Sequence, residues 1–221
     1  MDVRAAIDGR KSVRAFLDKP VPAALLRRIV EEAARAPSGG NLQPWHIDIV
    51  SGDALARLKG IMADKLSSGE REEHAYAIYP PALTSPYRDR RYETGEVMYR
   101  GLDIARDDKA GRQRRFNDNY AFFGARDAIF CSVDRQMGPP QWSDLGMFLQ
   151  NVMLLALDAG LATCPQECWA AYPETVTAFL GTPAERILFC GMAIGYEDAA
   201  HPANAPRMPR ADSTEWLRVL D

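Results

Sequence analysis

The sequence predicts an α+β fold. Only three runs read as strands, long helical stretches separate them, and the regular βαβ alternation of a doubly wound sheet is missing. No repeat, low-complexity block or linker divides the 221 residues, so residues 1–221 are expected to form a single domain.

The elements follow in chain order. Residues 2–9 suit a short amphipathic helix. Residues 22–36 make a clearer one, with Pro22 at a first helical position and Leu25, Leu26, Ile29, Val30, Ala33 and Ala34 on one apolar face. Pro37 stops it, and Ser38-Gly39-Gly40 opens a loop. His46-Ile47-Asp48-Ile49-Val50-Ser51 alternates as a strand should, and Asp53 then reads as the N-cap of a helix running to about Leu66.

Residues 69–120 are polar, rich in Arg and Tyr, and broken by Pro80, Pro81 and Pro86. They read as an excursion of loops and short helices, a lid over the core that shapes a substrate site. Residues 128–133 form a buried strand. Residues 142–159 form a helix apolar on most of its circumference, closed by Gly160 and placed at the centre of the fold. Residues 186–195 are the third strand, and a short helix is expected near 213–220.

Composition narrows the function. A hydrophobic content of 47% supports a proper core. A net charge of −3 argues against general nucleic-acid binding, which needs a basic face to displace counterions. The most apolar stretch, residues 145–161, is interrupted by Gln150, Asn151 and Asp158, so no membrane span is expected. Without an export signal, Cys131, Cys164, Cys168 and Cys190 read as reduced thiols of a cytoplasmic protein. The three histidines are scattered, and neither they nor Cys164 and Cys168 have metal-ligand spacing. The glycine signatures of Rossmann and P-loop nucleotide sites and the Gly-x-Ser-x-Gly elbow are all missing.

Four separated segments carry chemistry. Arg10-Lys11-Ser12-Val13-Arg14 puts three cations and a hydroxyl at a helix end, a set suited to a phosphate and a neighbouring electron-rich group. Taken singly, it also reads as a solvated charge run. Residues 36–45 combine two glycines, which let backbone approach a flat ligand, with the paired donors and acceptors of Ser38, Asn41 and Gln43. Residues 160–167 follow the buried helix, and Pro206-Arg207-Met208-Pro209-Arg210 is a basic element in an acidic chain.

In combination these segments closely resemble the nitroreductase family of FMN enzymes. The family's Arg-(Arg/Lys)-Ser-x-Arg-x-Phe opening stands at residues 10–16, and its Ala-Pro-Ser-x-x-Asn-x-Gln-Pro-Trp loop at 36–45. Gly146-Met147-Phe148-Leu149-Gln150-Asn151 leads to Gly160-Leu161-x-Thr163-Cys164-Pro165 in the right order and spacing, so the resemblance spans essentially the whole chain. Residues 92–95, Phe122-Phe123-Gly124-Ala125 and Cys164-Pro165-Gln166-Glu167 are similar to a nitrobenzoate-reductase-like branch.

The resemblance implies a mostly antiparallel central sheet flanked by helices, in an intertwined homodimer with two FMN sites built from both subunits. It implies that Arg10, Ser12 and Arg207 hold the phosphate with help from Lys11 and Arg210, and that Arg14 lies near the N1/O2 edge of the flavin, where negative charge accumulates on reduction. Pro37, Ser38, Gly39, Asn41 and Gln43 would come from the partner subunit, while Pro165, Gln166 and Glu167 would run along the other side of the ring. Many relatives carry Gly where Cys168 stands, which leaves no implied side-chain chemistry for Glu167.

NADH or NADPH would be the donor in a two-electron ping-pong cycle. A small nitroaromatic acceptor would leave as nitroso and then hydroxylamino product, and no protein nucleophile would be needed. Tyr92, Phe116, Tyr120 and Phe123 are candidates to wall the substrate, and each reads equally as core under the excursion. The alternatives are other flavin reductive chemistry of the superfamily (dehalogenation, flavin fragmentation, quinone or flavin reduction) and a non-catalytic flavin-binding redox sensor.

Overall fold

A computed structural model describes residues 1–220. Four strands make one fully antiparallel sheet: β1 (Trp45–Ser51), β2 (Asp127–Asp134), β3 (Ala162–Gln166) and β4 (Arg186–Gly195), in the spatial order β1-β2-β4-β3. The expected strands are β1, β2 and β4. The fourth, β3, falls in residues 160–167, to which the sequence reading assigned no element. Pro165 cannot donate to a ladder, and the run is only five residues long, so it carries no strand signature; Pro165 is tolerated because β3 is an edge strand.

Period-two alternation divides the core. Ile129, Cys131 and Val133 of β2, with Cys190, Met192 and Ile194 of β4, pack against two helices on one face. These are α2 (Ala23–Ala33) and α6 (Pro139–Asp158), which contribute Leu26, Ile29 and Ala33, and Leu145, Phe148, Val152 and Ala156. Ala128, Phe130, Leu188 and Ala193 face the other way, onto Leu55, Leu58 and Met62 of α3 (Gly52–Ser68) and onto Trp169. Leu188 and Cys190 take opposite faces because the register jumps between Cys131 and Ser132, leaving Phe189 as the extra residue of a bulge. Each fully buried Leu or Phe contributes roughly 1.5–3 kcal/mol, so these two layers hold the sheet from both sides.

α1 (Val3–Gly9) is capped by Asp2, whose carboxylate accepts the Ala5 N–H at 3.1 Å. α3 begins one residue before the expected cap: Ser51 stands at the N-cap without a side-chain bond, and Asp53 lies inside the first turn, where its charge meets the positive end of the helix. The excursion holds a longer helix than expected, α4 (Tyr87–Arg100), followed by α5 (Lys109–Asn117). α7 (Pro173–Leu180), which the sequence reading missed, starts on a proline and stops at Gly181, whose φ of 67° is left-handed. The helix expected near 213–220 shrinks to a 3₁₀ turn at Ser213–Glu215, capped by Asp212. Among the described residues, no helix is long and apolar enough to cross a membrane.

Candidate active site

The segment after α1 runs extended beside the sheet. Ser12 bridges Thr163 in parallel, the Val13 N–H donates to Thr163 O at 3.0 Å, and Phe16 bridges Glu197. Extended backbone alternates its sides, so Val13 and Ala15 are buried while Ser12 and Arg14 stay partly open.

From the far end of the chain, the tail folds back onto this segment. Arg10, Lys11, Ser12, Arg14, Arg207 and Arg210 line one recess of about 470 Å³. Burial pushes the Arg10 pKa down, and the guanidiniums of Arg210 and Arg207 push it further. Lys11 is already engaged, by Glu197 at 2.7 Å and the Asn204 carbonyl at 2.6 Å. Among the described residues, Arg10, Arg14, Arg207 and Arg210 have no carboxylate partner. Four crowded guanidiniums without a carboxylate partner, set around a hydroxyl, fit the phosphate of a nucleotide-like cofactor.

Two positioning residues escaped the sequence reading. Asn204 is 3% exposed; its Oδ1 accepts the Arg14 N–H at 2.7 Å, and its Nδ2 donates to Ala15 O at 2.8 Å and Asp198 O at 2.9 Å. Arg115 donates to Arg14 O at 3.0 Å while pairing with Asp118 at 2.8 Å and lying over the Phe123 ring at 5.0 Å. Neither stands in a motif, and their roles arise only from long-range contacts.

Three residues beyond Thr163, at roughly 3.3 Å each along an extended strand, β3 ends in Pro165 and Gln166 and turns at Glu167. These three line an open cleft of about 1430 Å³, with Phe116, Asn119 and the Tyr79-Pro80-Pro81 run opposite. The Gln166 amide donates to Asn119 O at 2.7 Å, which leaves its buried Oε1 without a partner. Burial pushes the Glu167 carboxyl up. Recess and cleft are thus served by one strand, as a single elongated ligand with a charged end and a flat end requires.

The loop carrying Pro37, Ser38, Gly39, Asn41 and Gln43 lines neither cavity. Asn41 and Gln43 hold φ of 56° and 50°, in the left-handed region that side chains avoid. Ser38 Oγ accepts the Gln43 N–H at 2.9 Å, and Asp144 of α6 accepts the Gly39 N–H at 3.2 Å. These two hydrogen bonds hold the exposed loop in its strained conformation.

Of the four aromatic candidates, only Phe116 lines the cleft, at 46% exposure. Tyr92 lies on the outside of α4 beside Arg106, whose guanidinium is 5.3 Å from its ring centre. Tyr120 and Phe123 are core: Tyr120 meets Trp169 and Tyr172 edge-on at 5.2 and 5.1 Å and donates to Cys168 O, and Phe123 is buried beneath Arg115. Tyr79 and His74, which do line the cleft, carried no signal in the sequence. Cys131, Cys164, Cys168 and Cys190 are all free, and no cluster of metal-ligating side chains occurs among the described residues.

The fold and the motifs are shared with known proteins. A family model described as the nitroreductase family matches residues 7–196. The 4-nitrobenzoate reductase of Pseudomonas putida is 34% identical over 209 residues, covering 95% of this chain and 91% of that protein. The crystal structure of the FMN and NADPH-dependent nitroreductase NfnB from sphigopyxis sp. strain HMH is similar at a TM-score of 0.97 and 48% identity, with all of both chains covered. The FMN-dependent nitroreductase NfnB from Mycobacterium smegmatis, in complex with NADPH, follows at 0.94 and 31%, covering 99% of this chain and 97% of that one.

Proposed function

This chain belongs to the nitroreductase family, and from that premise we propose that it is an FMN-dependent NAD(P)H oxidoreductase acting on nitroaromatic compounds. The carrying observation is the cluster of Arg10, Arg207 and Arg210, without carboxylate partners, around Ser12, which bridges the strand whose end forms the Pro165–Glu167 side of the cleft. When bound, FMN supplies the two-electron chemistry, taking hydride from NADH or NADPH and delivering it to the nitro group.

The chain's own part is binding, orientation and electrostatics. Arg10, Ser12 and Arg207 hold the phosphate, with Arg210 at the rim and Lys11 steadied by Glu197. Arg14 presents a fixed cation to the ring edge where negative charge grows on reduction, and Asn204 and Arg115 hold its backbone in place. Pro165, Gln166 and Glu167 floor the cleft, and Phe116 with Tyr79 supplies apolar wall for an aromatic acceptor.

The strained loop with Pro37, Ser38, Gly39, Asn41 and Gln43 completes the site of a second copy in a homodimer. Exposed Leu42 beside it, Met147 on α6 and Trp216, Leu217, Val219 and Leu220 in the tail supply apolar surface for that contact. The protein acts as a single-domain cytoplasmic enzyme, with residues 69–120 as the lid of the cleft.

The test is a colour assay. FMN-reconstituted protein should be yellow, bleach anaerobically with NADH or NADPH, and regain colour with 4-nitrobenzoate. Colour that returns only with oxygen, across a panel of nitroaromatics, overturns the assignment.

A further inference from the structure

The excursion carries nine arginines, and four are committed to a neighbouring acid. Arg88 pairs with Asp89 at 2.8 Å, Arg90 with Glu215 at 2.7 Å, Arg112 with Glu96 at 2.9 Å and Arg115 with Asp118 at 2.8 Å. Arg91 differs. Among the described residues it makes neither an ion pair nor a side-chain hydrogen bond, and its guanidinium lies 3.9 Å from the centre of the Tyr79 ring.

Stacking constrains the plane of a guanidinium while leaving its N–H edge free. That edge is the part that meets a carboxylate with two parallel hydrogen bonds. Arg91 and Tyr79 line the same cleft as Pro165, Gln166 and Glu167. The cleft's other ionisable groups are His74, Glu167 and Cys168, so Arg91 is its one arginine or lysine. Burial pushes both the Glu167 carboxyl and the Cys168 thiol up.

We propose that Arg91, laid on Tyr79, is a specificity-determining residue that receives the carboxylate of a nitroaromatic acid and orients it in the cleft. This rests on the nitroreductase reading above and deepens it: the acceptor class is anionic aromatics rather than nitroaromatics at large. An opposing anion is drawn toward the cleft before it docks, so the effect should weaken as salt screens it.

The experiment compares wild type, Arg91→Gln and Arg91→Lys as FMN-loaded protein, with 4-nitrobenzoate and neutral nitrobenzene as acceptors. Arg91→Gln should raise KM for 4-nitrobenzoate by about 10-fold, the scale of a charge-assisted hydrogen bond discounted for exposure. KM for nitrobenzene should stay unchanged. Arg91→Lys should recover part of the loss, and the salt dependence with 4-nitrobenzoate should flatten in Arg91→Gln. Equal effects on both acceptors, or none on either, overturn the proposal. A loss seen only as NADPH against NADH also overturns it, and assigns Arg91 to the donor's phosphate. Calorimetric binding of 4-nitrobenzoate to the same variants separates the two claims: Arg91-dependent binding without turnover sinks the nitroreductase reading and leaves the carboxylate site standing.

Discussion

The Arg14 N–H donates to Oδ1 of Asn204 at 2.7 Å, so the cation proposed for the flavin edge hangs from the residue that leads into the tail arginines. Asn204→Ala leaves that N–H and the carbonyls of Ala15 and Asp198 without their buried partner. The expected cost is about 2–4 kcal/mol, summed from buried groups losing their hydrogen bonds. Urea unfolding of the apoprotein measures it, and FMN titration should show weaker binding although Arg10 and Arg207 are intact. Asn204→Asp keeps the acceptor but loses both donors and sets an anion against two carbonyl oxygens beside the recess, so stability and FMN affinity should both fall.

Asn41 and Gln43 hold φ of 56° and 50°. Gly relieves such strain by roughly 1 kcal/mol per position. Gln43→Gly should therefore equal or exceed wild type in thermal stability, yet bind FMN about 5-fold more weakly if its side chain frames the ring, the worth of one hydrogen bond. Stability and affinity that fall together would make the loop structural only.

Glu72 ties the excursion to α7. It accepts the Glu174 N–H at 2.7 Å, the Lys65 ammonium at 2.9 Å and both donors of Thr175. Burial pushes its carboxyl up, but these bonds outweigh burial and hold it below the ordinary 4.5. Its stabilising contribution is therefore complete above pH 4.5 and is lost as pH falls through the depressed folded value. Thermal unfolding between pH 7 and pH 3 should show an acid decline in wild type that is shallower in Glu72→Gln.

A Cβ at Gly191 would overlap Trp169 Cδ1 and lie 2.8 Å from its Nε1. The indole is stacked on Phe122 at 4.7 Å and met edge-on by Phe130 at 5.2 Å, so it has nowhere to yield. Gly191→Ala should cost about 3 kcal/mol, at the upper end of overpacking penalties. Because Gly191 pairs with Gln166 on the edge strand, the cleft floor should shift as well. Denaturant midpoint and near-ultraviolet circular dichroism check the two effects.

What was legible in the sequence was local. Alternation located β1, short apolar runs located β2 and β4, and the apolar circumference of residues 142–159 placed α6 at the centre, because these signals live within a few residues. β3 was hidden by Pro165, whose missing N–H matters only when one knows that the strand is at an edge. The cradle's members Arg10, Ser12 and Arg207 were legible as motifs. Their mutual arrangement was not, since it depends on Asn204 and Arg115, ordinary polar residues whose partners lie far along the chain. Tyr120 and Phe123 show the same limit: an aromatic in a polar segment has no local mark that separates cleft wall from core.

Placing one half of the anion cradle at residues 10–14 and the other at 207–210 also has a temporal consequence. A ribosome delivers all four strands before it delivers Arg207, so at roughly 5–20 residues per second the nascent sheet passes an interval with only the first half of the proposed phosphate grip. On the proposed reading, cofactor capture waits for residues 207–210. A product cut short before Arg207 would keep the sheet and much of the cleft, and is expected to stay colourless.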